Sequence, residues 1–176
     1  MSSRFTGAER ALAELGITLA EPPATAGRYR PWIIDGTLLF VSGQISTGPA
    51  GDMVGVLGAG ATLADGVAAA RQCGLNLLSQ IRQAAGGDLD RVHSILRLTG
   101  FVKVAPSFGD VAQVIDGCSA LLADVLGPAA GHARSAVGVA DLPRGCLVEV
   151  DAIVRLHSET SARGAQEPRQ IEQVSP

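Results

Sequence analysis

The stretch Leu147–Leu156, LVEVDAIVRL, alternates between two kinds of residue along its whole length. In a β-strand, successive side chains point to opposite faces, so alternate residues share a face. One face collects the apolar residues Val148, Val150, Ala152, Val154 and Leu156, and the other collects Leu147, Glu149, Asp151, Ile153 and Arg155. The apolar face can pack on helices, whereas two carboxylates are too polar for a second core. The pattern predicts a sheet covered by helices on one face, with the other face against water or a partner.

The remaining sequence predicts an α+β order of strands, helix, strand, helix and strands. Turn and cap signals mark the boundaries: Asp35-Gly36 between two β-rich runs, Thr62-x-x-Asp65 and Ser107-x-x-Asp110 before helices, and Gly86-Gly87 and Gly127-Pro128 after them. These signals predict the following elements: a hairpin within 29–45, a short edge strand over Asp52–Leu57, a long helix from Thr62, a strand over Val92–Val104, a second long helix from Ser107, and a strand over Ser135–Val139.

One domain accounts for the folded chain. The 176 residues suffice for a sizeable core, and the predicted domain spans 1–157. It includes a short N-terminal helix at about 7–15, opened by the capping box Thr6-x-x-Glu9. Residues 158–176 are polar and read as a loose tail.

Composition excludes several classes of function. A net charge of −3 without a basic stripe disfavours nucleic-acid binding. No signal-peptide core is present and no apolar run approaches the ~20 residues of a membrane span, so we expect a cytoplasmic protein. Cys73, Cys118 and Cys146 are too widely spaced for a short-range motif and read as reduced, buried small hydrophobes. The scattered histidines show no metal-ligand spacing, and we expect no metal site.

Three polar features could carry chemistry. Arg134 enters a strand and suits a carboxylate, which its guanidinium can bind through two parallel hydrogen bonds. Glu149 lies within the last strand and could serve as a general acid or base. Ser42-Gly43 ends a strand, where glycine permits close approach of a ligand. If the strand at 135–139 pairs with the last one, Arg134 and Glu149 share a face.

Structural explanations compete with each of these. From spacing alone, an interface ion pair between Arg134 and Glu149, or a solvated Glu149, ranks ahead of catalysis, because buried ion pairs are common without it. His132 precedes Arg134 by two residues and reads rather as a loop or cap residue. Tyr29 is as consistent with packing as with closing a pocket.

Five segments together resemble the Rid family of reactive intermediate deaminases, also called YjgF or L-PSP endoribonuclease proteins. They are YRPWIIDGTLLFVSGQ, AARQCGLNLL, LTGFVKV, HARSAVGV and LPRGCLVEVDAIV, spread over residues 28–155. The N-terminal helix and the longer loop beginning STGPAGD resemble a separate branch of that family.

The resemblance implies a chorismate-mutase-like mixed sheet with two long helices on one face. It also implies a homotrimeric barrel with clefts between subunits and no cofactor. Arg134 would hold the carboxylate of 2-aminoacrylate or its imine tautomer, and Glu149 would work with the attacking water. Tyr29, Ser42 and Gly43 would complete the pocket. Ala136 also lines it, but it replaces a cysteine that is frequent two residues after the arginine.

Three functions follow, in this order of preference. The first is an enzyme that hydrolyses 2-aminoacrylate or 2-iminopropanoate to a 2-oxo acid and ammonia. The second is a non-catalytic or regulatory protein that binds a small carboxylate, such as a 2-oxo acid, in the same cleft. The third is a hydrolase for another imine or enamine. Ribonuclease activity ranks below all three because of the acidic charge balance.

Overall fold

The computed structural model describes residues 7–22 and 27–158, which form one mixed sheet with helices on a single face. The helices are α1 (Gly7–Glu14), α2 (Leu63–Ala84) and α3 (Val111–Leu126), and the strands are β1 (Trp32–Asp35), β2 (Leu38–Ile45), β3 (Thr47–Gly48), β4 (Gly51–Asp52), β5 (Val92–Lys103), β6 (Ala133–Val139) and β7 (Val148–Leu156). The main sheet has the order β1-β2-β7-β5-β6. Only β5 and β6 run parallel, because α3 connects them as a crossover. The predicted α+β architecture is confirmed.

Local signals place most element boundaries correctly. Gly36 has φ +60° and turns β1 into β2, as the Asp35-Gly36 pair predicts. Thr62 and Asp65 form a reciprocal capping box: the Asp65 amide donates to the Thr62 hydroxyl at 3.2 Å, and the Thr62 amide donates to the Asp65 carboxylate at 2.8 Å. Helix α1 begins at Gly7, whereas Thr6 and residues 159–176 of the predicted tail lie outside the described residues.

Two predictions about individual segments are wrong. Asp52–Leu57 is not an edge strand: β3 and β4 form a separate hairpin, and Val54 and Leu57 make only isolated bridges. Asp110 is the residue that precedes α3, without a side-chain capping bond, so the Ser107-x-x-Asp110 box does not form. Local sequence preferences indicate a strand at 52–57 and a helix cap at Ser107-x-x-Asp110. Such preferences do not by themselves fix which distant segments pair.

The apolar face of β7 packs against the helices as its alternation predicts. Val148, Val150, Ala152, Val154 and Leu156 are all buried. Leu147, which the alternation assigns to the open face, is also buried; it precedes β7 and its amide donates to the Met53 carbonyl at 2.8 Å. The three cysteines are free and buried, as expected, and burial raises the pKa of Cys118 to about 12.

The segment Val111–Ala130, which contains α3, is long and apolar enough by length and composition to span a membrane. The expectation that no apolar run approaches that length is therefore wrong. Its apolar side chains have another explanation in the fold, because Val114, Ile115, Cys118 and Leu122 are fully buried in the core shared with α2 and the sheet. A buried core helix passes the same test of length and composition.

Candidate functional site

Strand order separates the two residues on which the functional prediction depends. Strand β5 lies between β6 and β7, so the last two strands do not pair and the condition under which Arg134 and Glu149 would share a face is not met. Leu98 of β5 is fully buried against the helices and pairs with Arg134, which therefore lies on the helix-covered face. Glu149 alternates with the buried Val148 and Val150 and so faces away from the helices. Within one chain, Arg134 and Glu149 lie on opposite faces of the sheet.

The guanidinium of Arg134 is held against α3. Its Nη1 donates to the Asp116 carboxylate at 2.7 Å and to the Ser119 hydroxyl at 3.0 Å, and its Nη2 donates to the Ala112 carbonyl at 3.2 Å. The ion pair is with Asp116, so the alternative of an Arg134–Glu149 pair does not occur within the described chain. Ala136 lies two residues further along β6, on the same face, and packs against the core.

Sequence reasoning missed Asp116 and Ser119 and underrated His132. The His132 Nε2 lies 3.0 Å from the Ser119 hydroxyl, and its Nδ1 lies 2.5 Å from the Ala130 carbonyl. Ser119 and His132 are 13 positions apart, and Asp116 and Arg134 are 18 positions apart, so no short sequence motif predicts these contacts. The available signal was weak: Asp116 and Ser119 are polar residues in a mostly apolar helix.

Glu149 lies over the bulge in β2. The register of β2 against β7 shifts between Val41 and Gln44, which leaves Ser42 and Gly43 out of the ladder. A Cβ at Gly43 would overlap the Glu149 carboxylate, so any larger residue there would displace that carboxylate from its present position. Burial, and then the nearby carboxylate of Asp151, raises the pKa of Glu149 above its ordinary value.

The bulge also holds the segment that carries Tyr29. The Ser42 hydroxyl donates to the Arg30 carbonyl at 2.8 Å, and the Ser42 amide donates to the Pro31 carbonyl at 2.9 Å. Tyr29 comes directly before this segment and is 54% exposed. The structure thus brings Ser42, Gly43 and Glu149 together on the open face, with Tyr29 just before the segment that Ser42 holds and with Arg134 and Ala136 on the other side of the sheet.

A shallow cavity of about 420 Å³ lies on the open face. Ser42, Gly43 and Asp151 are among its lining residues, together with the apolar side chains of Ile33 and Phe40. Its lining does not include Arg134, Glu149 or Tyr29. Over residues 7–22 and 27–158, no three His, Cys, Asp or Glu side chains cluster closely enough to hold a metal ion.

Comparison with known proteins identifies the family. Residues 9–156 match the family model described as "YjgF/chorismate mutase-like, putative endoribonuclease". The chain is 47% identical to protein TCP17 of Trypanosoma cruzi over 149 residues, which cover 84% of this chain and 92% of that protein.

Solved structures support the same assignment. The crystal structure of Atu1372, a protein of unknown function from Agrobacterium tumefaciens, is 40% identical and matches with a TM-score of 0.79 over 85% of this chain and 92% of that one. YyfA from Yersinia pestis, a protein of unknown function of the conserved Rid family, is 29% identical and matches with a TM-score of 0.55 over 77% of this chain and 94% of that one. The fold, the motifs around Arg134 and Glu149 and these matches agree, and the chain belongs to the Rid/YjgF family.

Proposed function

We propose that this protein hydrolyses reactive enamine and imine intermediates of the 2-aminoacrylate/2-iminopropanoate type to a 2-oxo acid and ammonia. The observation that carries the proposal is Glu149: a carboxyl with a raised pKa that lies over the side-chain-free Gly43 on the face no helix covers. A general base is most effective when its pKa approaches the working pH. Among the carboxylates of the described chain, Glu149 is the one on the open face with such a shift.

The chemistry needs little more than positioning and one base. The enamine tautomerises to the imine, whose C2 is already electrophilic. Glu149 accepts a proton from the water that attacks C2 and returns it to the imine nitrogen as the C2–N double bond becomes single. The hydroxyl proton of the resulting carbinolamine then passes to the amino group, the C2–N bond breaks, ammonia leaves and the C2 carbonyl forms. Arg134 holds the substrate carboxylate through two parallel hydrogen bonds, which fix the position and orientation of C2 together.

Such a site must be shared between chains. The sheet itself separates Arg134 from Glu149 within one chain, so one small substrate cannot contact both. We therefore place Arg134 and Ala136 of one protomer opposite Tyr29, Ser42, Gly43 and Glu149 of another, in a homotrimer. Exposed apolar side chains on the open face favour such contacts, because Ile33, Phe40 and Val137 are 52, 41 and 43% exposed.

The test follows 2-oxo acid formation while 2-aminoacrylate is generated in situ by a separate lyase. We expect the wild-type protein to accelerate the reaction. Arg134→Ala should lower kcat/KM about 10- to 100-fold, mainly through KM, since each hydrogen bond to a charged group contributes ~1.5–3 kcal/mol. Glu149→Gln should lower kcat about 100-fold or more and leave binding of the 2-oxo acid product largely intact.

Arg10→Ala is the matched control, because Arg10 is an exposed arginine that pairs only with Glu14 on the same helix. It should behave as wild type. The proposal would be contradicted if the wild-type protein did not accelerate 2-oxo acid formation, or if Arg134→Ala had the same kcat/KM as the wild type. A loss of binding in Glu149→Gln with turnover lost in Arg134→Ala would exchange the two roles.

A second candidate is a non-catalytic receptor for a 2-oxo acid in the same cleft. Ala136 favours it, because the thiol frequent at this position in the family is missing. Calorimetry that shows 2-oxo acid binding by the wild-type protein but not by Arg134→Ala, without any acceleration of imine hydrolysis, would select this candidate.

A further inference from the structure

Behind Arg134, a short chain of hydrogen bonds runs from α3 into the turn before β6. It passes from the Arg134 Nη1 to the Ser119 hydroxyl, from Ser119 to the His132 Nε2, and from the His132 Nδ1 to the Ala130 carbonyl. Ser119 and His132 are both half-buried. Neither residue has a part in the reaction proposed above.

For a neutral His132 imidazole, the donors and acceptors of this hydrogen-bond series allow one direction only. A carbonyl oxygen can only accept, so the contact with Ala130 places the His132 proton on Nδ1. In the neutral imidazole, Nε2 is then an acceptor and takes the Ser119 hydroxyl proton. A guanidinium can only donate, so Ser119 accepts from Arg134 while it donates to His132. Removing the Ser119 hydroxyl therefore breaks two bonds at once.

These contacts decide how many donors of the guanidinium remain available. Both Nη1 protons are used, one by Asp116 and one by Ser119, and the Ala112 carbonyl takes one Nη2 proton. A guanidinium has five N–H donors. The Nε proton and one Nη2 proton have no acceptor among the residues that the structure describes. Nε and Nη2 share one edge of the planar group, the edge that matches the two oxygens of a single carboxylate.

We propose that Ser119 and His132 are positioning residues that, with Asp116, hold Arg134 so that the N–H donors it does not share with α3 meet the oxygens of one planar carboxylate. This inference rests on the proposed function, because it takes Arg134 to be the group that binds the substrate carboxylate. It restricts the ligand to small compounds with a carboxylate next to the reacting carbon, and it disfavours the corresponding carboxamides. A carboxamide has only one good acceptor and a competing N–H donor, so it cannot accept from both positions.

The experiment compares pyruvate with pyruvamide, by calorimetry, on the full chain. For Ser119→Ala we expect the Kd for pyruvate and the KM of the imine reaction to rise roughly tenfold, as for the loss of about one hydrogen bond to a charged group. The value of kcat should stay within about twofold, because Ser119 touches no reacting atom. The already weak binding of pyruvamide should not change, and Ser119→Thr, which keeps the hydroxyl, should restore the wild-type Kd.

His132→Leu should resemble Ser119→Ala, and the double variant should cost little more than either alone, since both break the same chain. The matched control is Ser94→Ala, because Ser94 also contacts a histidine, His93 at 3.1 Å, but far along the chain from Arg134. Ser94→Ala should leave the Kd for pyruvate and the KM of the imine reaction unchanged. Melting temperatures of all variants separate a change in affinity from a loss of fold.

The failures of the two proposals are distinguishable. Unchanged pyruvate binding in Ser119→Ala, with binding abolished in Arg134→Ala, overturns the positioning role and leaves the proposed function standing. A fall in kcat without a rise in KM also overturns it, because the hydroxyl would then act in the chemical step. A wild-type protein that neither binds pyruvate nor accelerates imine hydrolysis overturns both.

Discussion

Glu149 is a carboxyl whose ionisation depends on its surroundings. Partial burial disfavours its charged form, and the carboxylate of Asp151, two residues further along the same face of β7, adds repulsion between like charges. Both effects raise the pKa of Glu149. In the proposed reaction the ionised form is active, so the rate should fall as the pH drops through that raised pKa.

Asp151→Asn should move the acid limb of the kcat/KM profile to lower pH. The substitution removes the repulsion and therefore lowers the pKa of Glu149, while the contribution of burial remains. The rate of 2-oxo acid formation between about pH 4 and 9 measures the shift. Asp35→Asn, at the exposed β1–β2 turn, should leave the limb in place. An unmoved limb in Asp151→Asn, or one moved to higher pH, would show that Glu149 is not the titrating base.

At the scale of elements, the closest helix contact joins α2 and α3. A Cβ at Gly117 would overlap the Val67 carbonyl on the backbone of α2. Gly117 therefore lets the two helices approach closely, and their shared core includes Cys73, Leu77, Cys118 and Leu121. The same approach fixes where α3 places Asp116 and Ser119 under Arg134.

Gly117→Ala should destabilise the protein by about 1–3 kcal/mol, because overpacking forces the backbone of one helix away. Helix propensity alone predicts the opposite sign, since alanine is favoured over glycine by roughly 1 kcal/mol in a helix. The free energy of unfolding in urea measures the effect. Gly109→Ala is the control, because nothing lies within 4 Å of a Cβ there. A Gly117→Ala variant as stable as the wild type would contradict the close contact.

At the scale of the whole molecule, the open face of the sheet explains the low charge content of the chain. Only 18% of residues are charged, and apolar side chains such as Ile33, Phe40 and Val137 remain exposed on that face. A monomer rarely leaves such a patch in water. Association through this face would bury the patch, and the proposed shared site further requires that Glu149 of one chain meet the edge strand β6 of another, which carries Arg134.

Phe40→Glu should break the proposed trimer and abolish deaminase activity together. Light scattering should give a mass near three times the 17.9 kDa chain for the wild type and a smaller species for the variant. A charge buried without a partner costs several kcal/mol, which exceeds what one subunit contact can offset. Leu15→Glu, at an exposed leucine beyond α1, should remain trimeric. A fully active wild-type monomer would contradict the shared site.

The amino-acid sequence by itself determined the features that depend on near neighbours. The Asp35-Gly36 turn, the Thr62–Asp65 capping box and the alternation in β7 each involve contacts within a few residues, and each predicted its element correctly. Arg134 and Glu149 stood out as polar residues in β-rich segments, and family resemblance, rather than spacing, favoured catalysis over an ion pair.

Only the tertiary structure decided how those residues are arranged. Insertion of β5 between β6 and β7 puts Arg134 and Glu149 on opposite faces, and the packing of α3 brings Ser119 to Arg134 across 15 positions. Pairing of distant segments depends on the whole core, because many registers satisfy the same local pattern and only burial of the complete apolar face selects one.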